Sequence, residues 1–242
     1  MHETVIDPRL KARFMALKGG REFAFTSIDP ARCAHLVIDM QNGFVEPGAL
    51  LEVPAARGVV DNINALSRAL RARGGLNVFF RFTAGRTSDW SVYFEQFQCP
   101  DFGRAEVAIF QPGSHGQALY PALDVSPEDM VIDKTRFSAF TPGSSNALEV
   151  LRGRGIDTVL ISGTLSDCCC EATARDAQQL GFRVIFLSDA NAALSDAEHN
   201  AAVNLLAAWF ADIRSTEEAV GLVRGADAAR PQAERLAEAR AI

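Results

Sequence analysis

From Cys33 onward, short apolar runs alternate with longer amphipathic stretches, and that alternation admits few folds. "HLVID" (35–39), "LNVFFRF" (76–82), "MVID" (130–133), "DTVLISG" (157–163), "RVIFLSD" (183–189) and "ADIRS" (211–215) read as strands. Residues 59–75, 144–155, 168–180 and 196–210 read as helices, the first two closing on glycine. Buried strands joined by helices require right-handed crossovers and so a mainly parallel sheet covered on both faces. The expected fold is α/β: a three-layer α/β/α, Rossmann-like domain with about six strands. Residues 83–129 show no sustained pattern and read as irregular, with aromatics at Trp90, Tyr93, Phe94, Phe97 and Phe102.

The main domain is expected over residues 33–224, after an arm at 1–32 and before an Ala- and charge-rich tail at 225–242 that reads either as a surface helix or as disordered. The arm is either partly ordered or packed on a neighbouring subunit, and the residues alone leave both open. A chain of 242 residues with 48% hydrophobic and 22% charged residues can bury a sizeable core in one domain. Its net charge of -6 argues against nucleic acid or an acidic membrane as partner. The start is charged and lacks an apolar leader, and no run approaches the ~20 apolar residues of a membrane span. Five cysteines, three of them adjacent, do not form a disulfide framework, so a reducing cytoplasm is the expected compartment. No phosphate-cradling glycine loop is present, and the histidines (His2, His35, His115, His199) lack metal-site spacing, so neither cofactor nor metal is expected.

In a parallel α/β sheet, ligands bind outside the carboxyl ends of the strands. Asp39 and Gln41 follow the first strand, Asp133, Lys134 and Arg136 the third, and "LSDCCC" the fourth. Each alone has a structural reading as a cap, a solvated cation or a small packing residue. Together they form a sensible set. A thiol needs a base or a positive field to become a nucleophile; Asp39 offers the first, and Lys134 and a helix N-terminus the second.

Cys168, Cys169 and Cys170 differ in helical phase. With Ser166 or Asp167 as the cap, Cys170 falls on the apolar face with Thr173, Ala174 and Ala177. Cys168 falls toward Glu171 and Arg175, and Cys169 at the margin between the faces. Phase favours Cys169 for chemistry without deciding it. Three adjacent cysteines cannot easily wrap a tetrahedral metal, and adjacent disulfides are strained.

Three separated motifs resemble the isochorismatase-like superfamily of cysteine hydrolases, over about Ala34 to Leu222. "VIDMQNGF" resembles the first-strand motif carrying the family's acid/base, on Asp39. "DKTRFSAF" resembles the segment carrying its lysine, on Lys134. "SGTLSDCCCEATARDAQQLGFRV" resembles the segment whose cysteine follows the strand-end glycine by six positions, which gives Cys169 counting from Gly163. The resemblance implies a cis peptide between Thr164 and Leu165 and an oxyanion hole from the backbone N–H groups of Leu165 and Cys169. It also implies a small-molecule substrate and a homo-oligomer, a dimer or tetramer.

Nicotinamidases of this superfamily carry a histidine-rich metal site after the second strand, where this chain reads "RFTAGRTSDW" without histidine. True isochorismatases can lack the cysteine. The expected activity is therefore metal-independent hydrolysis of a non-peptide C–N bond in a small amide, carbamoyl or ureido compound, through a thioester on Cys169. Vinyl-ether hydrolysis with Asp39 as acid, and a non-catalytic protein on the same fold, are the alternatives. Gln41, Phe44, Trp90 and Arg136 are the candidates for substrate contact. Trp90 and Phe44 have the core or a subunit interface as their alternative, and Arg136 has a structural ion pair.

Overall fold

The computed structural model describes residues 1–229. Six strands form one wholly parallel sheet: β1 (Cys33–Ile38), β2 (Leu76–Phe82), β3 (Met130–Lys134), β4 (Thr158–Thr164), β5 (Arg183–Ala192) and β6 (Asp212–Arg214), in the order β3-β2-β1-β4-β5-β6. The helices are α1 (Pro8–Leu17), α2 (Asn42–Val45), α3 (Val60–Arg71), α4 (Pro100–Ile109), α5 (Ala147–Gly153), α6 (Glu171–Gln179), α7 (Asp196–Trp209) and α8 (Thr216–Ala229).

Because successive strand residues point to opposite faces, each strand feeds two cores. Cys33, Val37, Phe79, Leu160 and Ile185 pack against α3 and α8 on one face. Ala34, Leu36, Ile38, Phe80, Ile161 and Phe186 pack against α5, α6 and α7 on the other. The chain order reverses between β1 and β4, which are hydrogen-bonded neighbours. In parallel sheets such a switch point is where ligands are expected, outside the carboxyl ends of the two strands. No helix among the described residues is long and apolar enough to cross a membrane.

Three local readings need correction. Residues 83–129 are not wholly irregular: they hold α4 and a π-type turn at Val92–Phe97. The start of α4 carries a legible signal, Pro100 in its first turn followed by Asp101. Its interior Gly103 masks the helical pattern, and is there because a Cβ would meet the Phe94 carbonyl oxygen at 1.9 Å. The helix expected from residue 168 begins at Glu171, preceded by a π-type turn over Ser166–Cys170 in which no side chain caps the backbone. Residues 8–17 of the arm form α1, and the arm packs on α7 of its own chain. At the start of the tail, α8 continues to Ala229; residues 230–242 lie outside the described residues.

Candidate active site

Asp39 is the first residue beyond β1, held at φ 51° with its N–H donating to the Phe80 carbonyl at 3.1 Å. Leaving the strand in this left-handed conformation changes the direction in which its side chain projects. Lys134 ends β3, two strands away. Its side chain passes over the Phe82 ring at the end of β2, with Nζ 5.4 Å from the ring centroid. Nζ lies 2.7 Å from Asp39 Oδ2, and both side chains are 0% exposed. Nζ also donates to the Arg136 carbonyl at 3.0 Å. The Asp39–Lys134 contact is a close, wholly buried ion pair, and the Cys169 thiol and the Phe82 backbone also act on the Asp39 carboxyl.

The third group arrives from β4. Ile38 of β1 pairs with Gly163 of β4, which sits at φ 121°. A Cβ at this position would meet the Ile38 carbonyl oxygen at 2.0 Å, so only glycine lets the strands approach here. The Thr164–Leu165 peptide is cis, as the resemblance implies. The Ser166–Cys170 turn follows, with the N–H groups of Cys168 and Cys170 both donating to the Leu165 carbonyl. The Leu165 N–H has no acceptor among the described residues. Cys170 is wholly buried against the sheet, Cys168 is half-buried, and Cys169 is 6% exposed and close enough to perturb both Asp39 and Lys134.

The protonation states follow from this crowding. Burial raises the Asp39 carboxyl, while Lys134, the Cys169 thiol and the Phe82 backbone pull it back. Burial alone would lower the Lys134 ammonium, but Asp39 and Cys169 overcome it and hold it above its ordinary value. Contact with Cys168, burial and the Asp39 charge push the Cys169 thiol well above its ordinary value, against the opposing charge of Lys134. At rest the cluster therefore holds a protonated thiol beside the buried Asp39–Lys134 pair. A proton can move from Sγ to Asp39 when a carbonyl carbon offers the sulfur a bond.

The candidate substrate contacts separate into two groups. Gln41 is a scaffold: Nε2 donates to the Phe82 and Gln117 carbonyls at 3.0 and 2.8 Å, and Oε1 accepts from the Phe82 N–H at 2.7 Å. Phe44 packs in the core, stacked on Phe110 with centroids 4.6 Å apart. Trp90 and Arg136 instead line a cavity of about 260 Å³ with Thr83, Arg86, Asp89 and Thr135. The Arg136 guanidinium lies over Trp90 at 4.9 Å and donates to the Thr135 and Asp89 carbonyls. Trp90 further contacts Tyr93 and Phe137, which makes an aromatic wall. Burial raises the Tyr93 hydroxyl, with smaller contributions from Glu106, Cys168 and Cys169, so this wall borders the cysteine turn. Phe137 lies one residue beyond Arg136 and was not singled out from the sequence as a wall residue. No group of three His, Cys, Asp or Glu side chains that could hold a metal is found among the described residues.

Comparison with known proteins gives a consistent picture. The family model described as the isochorismatase domain matches residues 33–218. A cysteine hydrolase from Pseudomonas syringae pv. phaseolicola is 29% identical, with a TM-score of 0.76 over 84% of this chain and 97% of that one. An isochorismatase family protein from Desulfovibrio vulgaris is 28% identical, with a TM-score of 0.70 over 80% and 98%. N-carbamoylsarcosine amidase from Thermoplasma acidophilum, at 24% identity and a TM-score of 0.63 over 77% and 97%, shares the fold.

Proposed function

This chain belongs to the isochorismatase family of hydrolases, and from that premise we propose that it hydrolyses a non-peptide C–N bond of a small amide, carbamoyl or ureido compound through a thioester on Cys169. The observation that carries the reading is the buried Asp39–Lys134 pair beside Cys169 at the switch point.

Asp39 accepts the Sγ proton as sulfur bonds to the substrate carbonyl carbon. The tetrahedral oxyanion takes hydrogen bonds from the backbone N–H groups of Leu165 and Cys169. The open Leu165 N–H supports that role. Lys134 keeps its proton and steadies the negative charge that passes between sulfur and Asp39. As the intermediate collapses, the C–N bond breaks and the amine leaves with the proton from Asp39. Water then gives a proton to Asp39 and attacks the thioester. The product acid departs and Sγ regains its proton.

Arg136 and Trp90 are proposed to hold the substrate, with the remaining guanidinium N–H groups available to a carboxylate. Metal independence rests on the segment after β2, which carries no histidine. Five free cysteines support a reducing, cytoplasmic setting. The 83%-exposed Phe97 and neighbouring Val92 support a homo-oligomer, which size-exclusion chromatography with light scattering checks.

Ammonia release from small amides, carbamoyl and ureido acids, together with product analysis for lactams and isochorismate, tests the reading. At least one C–N substrate is expected to turn over. Turnover of isochorismate alone, retained by Cys169→Ala, would replace this reading with acid catalysis by Asp39.

A further inference from the structure

The N-terminal arm lies along α7 in a defined register. Asn200 and Asn204, one helical turn apart, read its backbone as a ladder: Oδ1 of each accepts from the N–H of Val5 and Asp7, and Nδ2 of each donates to the carbonyls of Glu3 and Val5. This seats Thr4 against His199, a wholly buried residue of α7. The hydrogen-bond directions there can be assigned. The Thr4 hydroxyl donates to the Ser188 carbonyl at 3.1 Å, so toward His199 its oxygen must accept, from Nε2–H at 3.2 Å. His199 then carries its proton on Nε2, and Nδ1 accepts from the Ser166 hydroxyl at 2.8 Å. Ser166 opens the turn that carries Cys169. Burial and the neighbouring His2 hold His199 down to about 4, against the Ser188 carbonyl and Asp196, so the ring is neutral as this assignment requires.

A second contact of the arm bears on the same place. His2 stacks on His199 with centroids 4.7 Å apart, and His2 Nε2 accepts from the Ala193 N–H at 2.9 Å. Ala193 follows Ala192, the β5 residue paired with Thr164. The arm thus reaches the turn from two sides.

We infer that Thr4 is a positioning residue of the active site: through His199 it sets the direction of the Ser166 hydroxyl and so the placement of the Ser166–Cys170 turn. This rests on reading that turn as the nucleophile-bearing one. Without the Thr4 oxygen, the Nε2 proton keeps only the Ser188 carbonyl, which also acts on this ring, as an acceptor. The ring is then held less firmly to this tautomer, and in the other one Nδ1 donates and the Ser166 O–H must find a new partner.

The test is hydrogen exchange of the full chain, read over residues 165–171 and, as an internal control, over residues 60–71. Thr4→Val is expected to speed exchange over 165–171 by about tenfold while 60–71 keeps the parent rate. On the fastest substrate of the amide panel, it should lower kcat about tenfold with KM within about twofold. Thr4→Ser, which keeps the hydroxyl, should restore both. Ser166→Ala cuts the same chain at its other end and should give the same exchange change, with no further change when Thr4→Val is added. Parent-level exchange over 165–171 in Thr4→Val, or full additivity in the double variant, overturns the inference. Exchange reads the turn whether or not Cys169 is the nucleophile, so absence of amide turnover in the parent would strike the proposed activity and leave this result standing.

Discussion

Lys134 Nζ lies 2.7 Å from Asp39 Oδ2, although the two residues end strands separated by a third and neither is exposed to solvent. A buried pair of this kind is costly to break from one side, because the remaining charge has no partner and no water. Lys134→Met is therefore expected to destabilise the protein by about 3–5 kcal/mol and to leave Asp39 protonated at neutral pH. Asp39→Asn should cost a similar amount, and the double variant less than the sum of the two. Urea denaturation of the three variants checks this; additive losses would mean that the charges do not depend on each other.

The raised Cys169 thiol makes a prediction about reactivity in the absence of substrate. Generic alkylation follows thiolate fraction and access. Iodoacetamide at neutral pH should modify exposed Cys99 and half-buried Cys168 before Cys169, and Cys170 last or not at all. Site-resolved mass spectrometry gives the order. Preferential labelling of Cys169 would show a resting thiolate, and with it a different distribution of charge among Asp39, Lys134 and sulfur.

Acid should unfold the protein partly through two buried histidines. His35 bridges Ser67 and Ser162 and is lowered by burial from 6.5 to about 3; His199 is lowered to about 4. In the unfolded chain both titrate near 6.5, so below that value the unfolded state binds more protons. Their contribution is complete above pH 6.5 and is lost as pH falls toward 3 for His35 and 4 for His199. Each adds a slope of at most ~1.4 kcal/mol per pH unit within its window. The urea midpoint should drop between pH 7 and pH 5, and drop less in His35→Gln. Equal drops would remove His35 from the explanation.

Much of this site was readable before the structure, for a topological reason. In a parallel sheet the reactive residues must gather at strand ends, and strand ends follow from where apolar runs stop, which is how Asp39, Lys134 and the cysteine turn were found. Three things were not readable. The separation of Asp39 and Lys134 depends on strand order, and an apolar run does not say which strand is its neighbour. The π-type turn differs from a helix start by too little to disturb the pattern, so the expected helix absorbed it. The arm is held by asparagine side chains reading backbone groups, a contact that leaves no apolar periodicity in the sequence. Gln41 and Phe44 were plausible ligand contacts by position; only the partners of the Gln41 amide and the stacking of Phe44 on Phe110 show that both are committed to the scaffold.

The central claim is the covalent role of Cys169. The most direct measurement is the intact mass of the protein quenched with acid during turnover of the slowest amide that releases ammonia, followed by peptide mapping. The account predicts an added acyl mass on Cys169 in the parent and in Cys168→Ala and Cys170→Ala. It predicts none in Cys169→Ala, whose turnover should fall by about 10³-fold or more. Steady turnover with no acyl adduct, by a Cys169→Ala protein that keeps its activity, would contradict it.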